Sequence, residues 1–417
     1  MLGLAIHMCT SDAECYGGAC VSGSCRCPPL WEGVQCETLR LKPARVASGL
    51  RIANASSWGG GVVEDAASGV WHMYAAQFVD HCGLSTWRAN SQITHAVGSA
   101  ADGPFAVVAH EAPVLPTFAH NPTVVQLGGG KYAMAHIGCG DGSTPAVTGC
   151  TNGTTCSSNA TACWVPPLPG ASSGTAARAR TPRTLTPRCN TPHWTGLLRA
   201  SSPAGPFTAV ANLSIIVDGG PHSWHFGEGI TNPNYYPLPN GSILMAFSTG
   251  CANCSVSPSH KHVGLAIGTS VRGPFRDLSP AAPMFEWASE DPCIFFDADS
   301  STYHILAHTD FSGVAEEGMW AHVAAHAVAK RVEGPWRVAT RPPYDRTIKW
   351  DDGSRSSVRT RERPQIIWNE EGEIVGLTNG VQPGNHSSPA LGFPRGFTGD
   401  WSYTHVQLLD RRVNTSL

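Results

Sequence analysis

Apolar residues along most of this chain come in short runs cut by Gly, Pro, Asn and Asp, a pattern that predicts short strands rather than helices. From residue 48 onward the runs pair into hairpins, and the pairs recur. Val62–Val63 leads through a turn to Trp71, Pro122–Val125 to Tyr132, and Pro233–Tyr236 to Ile243. Pro292–Phe296 leads to Tyr303, and Pro364–Trp368 to Ile374. A second signal marks the far end of four copies: Gly103-Pro104-Phe105, Gly205-Pro206-Phe207, Gly273-Pro274-Phe275 and Gly334-Pro335-Trp336. With an insertion in the first interval, the underlying unit is roughly 60 residues, the size of a four-stranded blade. The predicted fold is all-β, a five-bladed β-propeller over residues 48–411. A β-sandwich would not repeat its hairpins and its Gly-Pro-aromatic turns in register.

The chain has 417 residues, 41% of them hydrophobic and only 14% charged, with a formal net charge of −3. That balance supplies a packed interior and excludes the strongly basic face that nucleic-acid binding needs. No run of about 18 apolar residues occurs, so no membrane span is predicted. Fifteen cysteines and Asn-x-Ser/Thr sequons at Asn54, Asn152, Asn159, Asn212, Asn240, Asn253, Asn385 and Asn414 point to a secreted, disulfide-bonded glycoprotein. Met1–Met8 has no basic n-region and no small-residue cleavage site, so a leader is expected upstream or already removed.

Six of the cysteines crowd the amino terminus, at Cys9, Cys15, Cys20, Cys25, Cys27 and Cys36. Cys25-Arg26-Cys27 followed by Gly33 three residues before Cys36 closely resembles the end of an EGF-like module, spanning residues 7–38. The Gly supplies a tight turn that lets the last disulfide close. Spacing alone leaves fifteen connectivities open; the resemblance implies Cys9–Cys20, Cys15–Cys25 and Cys27–Cys36. The stretch ahead of Cys9 is Ala5-Ile6-His7-Met8, without the acidic residues of calcium-binding members, so no calcium is expected. Such a module is ordinarily a spacer or docking unit, which makes it a candidate contact for a protein partner. Residues 39–47 read as a linker.

The insertion, residues 141–192, is rich in Ser, Thr, Pro, Gly and Ala and carries Cys150, Cys156, Cys163 and Cys189. Their spacing is not that of a zinc site, and a disulfide-stapled loop is expected. Cys251 and Cys254 read the same way. Nine cysteines lie outside the amino-terminal module, an odd number, so at least one free thiol is expected.

In a propeller the first strand of each blade lines the channel, and its start lies on the same face as the end of the second strand. Five blade starts therefore converge: Trp58, His120–Asn121, Thr231–Asn232, Glu290–Asp291 and Glu362–Arg363. The second-strand ends add Gln77, His136, Ser248, His308 and Asn379. Polar and ionisable groups at matching places among apolar neighbours predict a binding pocket.

On the blade openings Asn121-Pro122, Asn232-Pro233, Asp291-Pro292, Glu290-Asp291-Pro292 and Glu362-Arg363-Pro364, the propeller resembles the five-bladed furanosidase-like glycoside hydrolases of families 43, 32, 68 and 117. The resemblance implies carboxylates at the blade starts, one protonating the leaving oxygen and another activating water or attacking carbon. It departs in the first blade, where Ser57-Trp58-Gly59-Gly60 stands in place of an Asp, and in the next two, which carry Asn. The expected catalytic set is Glu290, Asp291 and Glu362. The expected carbohydrate contacts are Trp58, Gln77, His120, Asn121, His136, Asn232, His308 and Arg363. Glu228 is a reserve carboxylate, and Trp87 and Trp224 are possible stacking residues. An ion-pair network with Arg361 and Arg363 is the structural alternative for the acids. His120, His136, His304 and His308 fall in no metal motif, so neither a metal nor a cofactor is expected. The alternative function is a non-catalytic, lectin-like propeller oriented by its amino-terminal module.

Overall fold

A computed structural model of the chain describes residues 9–109, 111–148, 150, 195–210, 217–218, 220–226, 228–251, 261–309, 323–383 and 400–411. Most of the insertion, the sequons at Asn152, Asn159, Asn212, Asn253, Asn385 and Asn414, and Cys156, Cys163, Cys189 and Cys254 lie outside the described residues, as do Ala5–Met8. The fold is an all-β propeller. Its one α-helix among the described residues is the single turn Trp87–Asn90.

Antiparallel meanders follow one another along the chain. The first runs through Ser57–Asp65, Val70–Phe78, Ser91–Gly98 and Ala106–Val107. The second uses His120–Leu127, Lys131–Ile137, Thr195–Ala200 and Thr208–Ala209. The third comprises Ile230–Pro237, Ile243–Thr249, His262–Gly268 and Phe275–Asp277. The fourth has Ser289–Asp297, Thr302–Thr309, Ala324–Ala329 and Arg337–Val338, and the fifth Arg355–Trp368, Ile374–Pro383 and Tyr403–Leu408. The four Gly-Pro-aromatic signals stand at the outermost strands of the first four meanders.

The ring closes at two places. The inner strands of the fifth and first meanders meet in a parallel bridge, Trp368 to Val63. The outer edge of the fifth is completed by residues 40–50, where Lys42 N donates to Leu408 O (2.9 Å) and Leu50 N to Thr404 O (2.9 Å). The stretch read as a linker is thus hydrogen-bonded into the propeller, supplying the partners that an open sheet edge would lack.

Every inner strand starts with a bulge. Register shifts fall at Trp58/Gly61, opposite His120, at Thr231/Asn234, at Glu290/Cys293 and at Glu362/Gln365. In each bulge one residue takes a left-handed conformation: Gly59 (φ 57°), Asn121 (55°), Asn232 (49°), Asp291 (53°) and Arg363 (53°). Gly adopts this region freely and Asn and Asp more readily than most residues; Arg363 does so with its side chain held by Asp291, Asn121 O and Thr123. A bulge re-aims side chains that a regular pleat would send into the walls. That is the local reason the blade starts turn toward one another.

The amino-terminal module contains the disulfides Cys9–Cys20, Cys15–Cys25 and Cys27–Cys36, the pairing its resemblance implies. It is packed onto the propeller. Trp31 is fully buried, stacked against His304 (4.5 Å) and His326 (4.6 Å), and its Nε1 donates to Asp297 Oδ2 (3.1 Å). Tyr16 donates its hydroxyl to Val338 O (3.3 Å) and lies under Arg337 (4.9 Å). Leu30, Trp31 and Leu39 share one apolar cluster with Phe295, Leu306, Ile366 and Leu377 of the fourth and fifth meanders. A fourth disulfide, Cys82–Cys150, ties the start of the insertion to the loop after the first hairpin. Cys293 is a free, buried thiol.

Candidate active site

Four of the left-handed residues join at the channel centre. Asn121 Nδ2 donates to Asn232 Oδ1 (3.1 Å) and to Asp291 Oδ1 (3.4 Å), and Asn232 Nδ2 donates to Glu290 Oε1 (3.1 Å). Arg363 Nη1 donates to Asp291 Oδ1 (2.8 Å), while its Nη2 donates to Asn121 O (2.6 Å) and Thr123 Oγ1 (3.2 Å). The second-strand ends contribute from the same face. Ser248 Oγ accepts from Asp291 N (3.0 Å), and His308 Nδ1 lies 3.3 Å from Asp291 Oδ2. Sequence pattern alone brought Glu290, Asp291, Asn121, Asn232, His308 and Arg363 to one place, and the structure joins them there.

The fifth position explains the missing first-blade acid. A Cβ on Gly59 would lie 2.6 Å from Arg363 Cδ. The Arg363 stem fills the room that a side chain at position 59 would need. Gly59→Asp, which would restore the acid, should therefore destabilise the protein by about 1–3 kcal/mol through overpacking and its positive φ. Thermal denaturation tests this; a variant as stable as wild type would show that Arg363 can step aside.

Charge divides the three candidate acids. Asp291 is almost fully buried; burial opposes its ionisation, but Arg363 and His308 outweigh it and hold the carboxyl well below the usual range. It is a paired anion, engaged by two cations, and so a poor proton acceptor. Glu290 goes the other way: burial and then the Asp291 charge push it up to about 7. Both Glu290 and Glu362 are half-buried rather than sealed. His308 sits among the acids. Burial disfavours its charge, but Glu362, Asp291 and Glu290 raise it to about 10, so it is an imidazolium at neutral pH. The structural alternative holds for Asp291, which pairs with both Arg363 and His308. Arg361 takes no acid; it donates to Asn379 Oδ1 (3.0 Å) and Gln407 Oε1 (3.0 Å) and lies over Tyr344 (4.5 Å).

Other expected contacts sort differently. His120 is buried and neutral, lowered to about 3 by burial and by Arg363. Ser91 Oγ gives its one proton to Ala119 O (2.7 Å), so His120 Nδ1 must donate to Ser91 Oγ (2.7 Å), which leaves Nε2 as the acceptor. His136 is likewise buried and neutral, lowered to about 4 by burial. Gln77 accepts from Gln92 Nε2 (3.2 Å), a pairing between neighbouring strands. Trp58 corrects the sequence reading: it is 3% exposed, clustered with Ala76 and Phe78, and a Cβ on Gly380 would lie 2.4 Å from its ring. It is a core residue with no face to offer a sugar. Trp224 is also buried, its Nε1 donating to Ser279 O (2.8 Å).

The sequence reading missed Ser91, which fixes the His120 tautomer, and Lys261, whose charge acts on both Glu290 and Glu228. Both stand at the starts of third strands, where no repeat signal had been noted. Glu228 itself is half-buried, its carboxylate close against Gly250.

No protein-family model matches the chain, and no curated protein matches it. Solved structures do match in fold. A thermostable family-43 glycoside hydrolase aligns with 91% of this chain and 94% of its own, at 10% identity and a TM-score of 0.50. The catalytic domain of a Coprinopsis cinerea GH62 α-L-arabinofuranosidase covers 92% of this chain and 98% of its own (9% identity, TM-score 0.50). The Podospora anserina α-L-arabinofuranosidase PaAbf62A, solved with cellotriose, covers 91% and 97% (9% identity, TM-score 0.51). The chain has the propeller fold of these glycoside hydrolases over about nine-tenths of its length.

Proposed function

We propose that this protein is a secreted glycoside hydrolase acting on extracellular or cell-wall carbohydrate, with Glu290 as general acid and Glu362 as its partner base. The observation that carries this reading is the division among the acids. Asp291 is consumed by Arg363 and His308, while Glu290, raised to about 7, and Glu362 remain half-buried on adjacent meanders on the same face. Glu290 gives its proton to the glycosidic oxygen as the carbon–oxygen bond breaks. Glu362 takes a proton from the water that attacks the anomeric carbon, and solvent exchange returns both groups to their starting states. Asn121 and Asn232, bonded to one another and to the acids, position Asp291 and Glu290, and the Nε2 of His120 is the acceptor left for a sugar hydroxyl. The exposed sequons at Asn54 and Asn240 and the disulfide framework support the extracellular setting. Tyr16 and Trp31 of the EGF-like module are spent on the propeller, so a protein partner would meet its other side, where Val21 and Val34 are exposed.

A second reading, carbohydrate binding without turnover, is favoured by one observation: Arg363 fills the place of a first-blade acid beside Gly59. Hydrolysis of arabinan, xylan and aryl glycosides by wild type and Glu362→Gln separates the two. Sugar release that the substitution abolishes while saccharide binding persists is the expected result. Binding by wild type with no release would favour the second reading.

A further inference from the structure

The approach to the third meander carries a feature the catalytic reading does not use. Among the described residues Phe226 is the one exposed large aromatic, at 48%. Its neighbours are anchored. Trp224 is buried and tied to Ser279 O, and His225, also buried, shares a 2.8 Å hydrogen bond with Asp277 Oδ2 across the meander. Phe226 N donates to Ser223 O (3.2 Å) and Glu228 N to His225 O (3.0 Å). The phenyl ring is thus presented to solvent next to two anchored side chains. The turn lies on the Glu290 side of the propeller: it leads into the inner strand that supplies Asn232, and Glu228 faces Gly250 at the end of the second strand. Lys261 O accepts from Ser289 N (3.0 Å), next to Glu290, and the Lys261 charge acts on both Glu290 and Glu228.

We propose that Phe226 and Glu228 form a second saccharide subsite beside the one at Glu290, which makes the preferred ligand an oligosaccharide rather than a single sugar. This rests on the carbohydrate reading of the site. Phe226 offers an apolar platform to the flat C–H face of a sugar ring, and Glu228 accepts hydrogen bonds from its hydroxyls. An exposed aromatic with two rotatable side-chain bonds gains contact area with little loss of side-chain freedom.

The test is calorimetric binding of xylo- and arabino-oligosaccharides and of the matching nitrophenyl monosaccharide glycosides to wild type, Phe226→Ala and Phe226→Trp, with melting temperatures alongside. Phe226→Ala should weaken oligosaccharide binding about three- to tenfold. It should leave the monosaccharide glycosides and the melting temperature unchanged, and Phe226→Trp should restore affinity. Equal affinities in wild type and Phe226→Ala, with saccharide binding intact, would overturn the subsite but not the carbohydrate reading. Failure of wild type to bind any of these saccharides would overturn both.

Discussion

Glu290→Gln should lower hydrolysis of an unactivated glycoside by about 10²–10⁴-fold, the usual contribution of a positioned general acid. The isosteric amide still accepts the hydrogen bond from Asn232 Nδ2, so saccharide binding should persist. In wild type, kcat/KM should fall as pH rises through about 7, because the acid is then deprotonated, and the substitution should remove that limb. Stability moves in a linked way. Burial raises Glu290 above its unfolded value, so its contribution to folding is complete below the unfolded carboxyl range and is lost as pH rises through about 7. Glu290→Gln should therefore equal wild type in stability at low pH and exceed it at high pH. Unfolding by urea at both ends of that range checks the sign; a variant less stable at high pH would mean that Glu290 is held as a paired anion.

The second large effect is expected far from the channel. Trp31→Ala should destabilise the whole protein by about 3–5 kcal/mol, the cost of emptying a fully buried indole site. Its ring packs against both His304 and His326, and its Nε1 satisfies Asp297. Trp31→Phe keeps much of the packing and loses only the hydrogen bond, so it should cost about 1–3 kcal/mol. Both belong to a single unfolding transition if the amino-terminal module and the propeller share one core. Two separate transitions in wild type, with only the first shifted by Trp31→Ala, would show the module to be an independent unit after all.

The contrast between these residues shows what the sequence could and could not carry. Blade starts were legible because their signal is local: an apolar strand, a Pro, and polar residues just ahead of it, repeated at Asn121, Asn232, Asp291 and Arg363. The same locality exposed the missing acid at Gly59. Side-chain partnerships were not legible. Arg363 bonds to Asn121 O across 242 residues of sequence, and nothing near either residue announces the other. The separate ion pair of Arg363 with Asp291, an alternative the sequence did raise, makes Asp291 a paired anion rather than a base. Trp58 failed for a related reason: a tryptophan at a blade start can face the channel or pack on a glycine, and only the place of Gly380 decides. Trp31 was invisible because the EGF-like pattern is carried by cysteines and one glycine, and it says nothing about what the remaining residues touch.

The most direct test is to compare wild type and Glu290→Gln on two arabinofuranosides and two xylosides that differ only in leaving group, a dinitrophenyl and an alkyl member of each pair. A dinitrophenolate leaves without protonation, whereas an alkoxide does not. If Glu290 is the general acid, the variant should lose the alkyl glycosides by orders of magnitude and keep most of its activity on the dinitrophenyl ones. Equal losses on both would contradict that assignment and move the proton donor elsewhere in the channel.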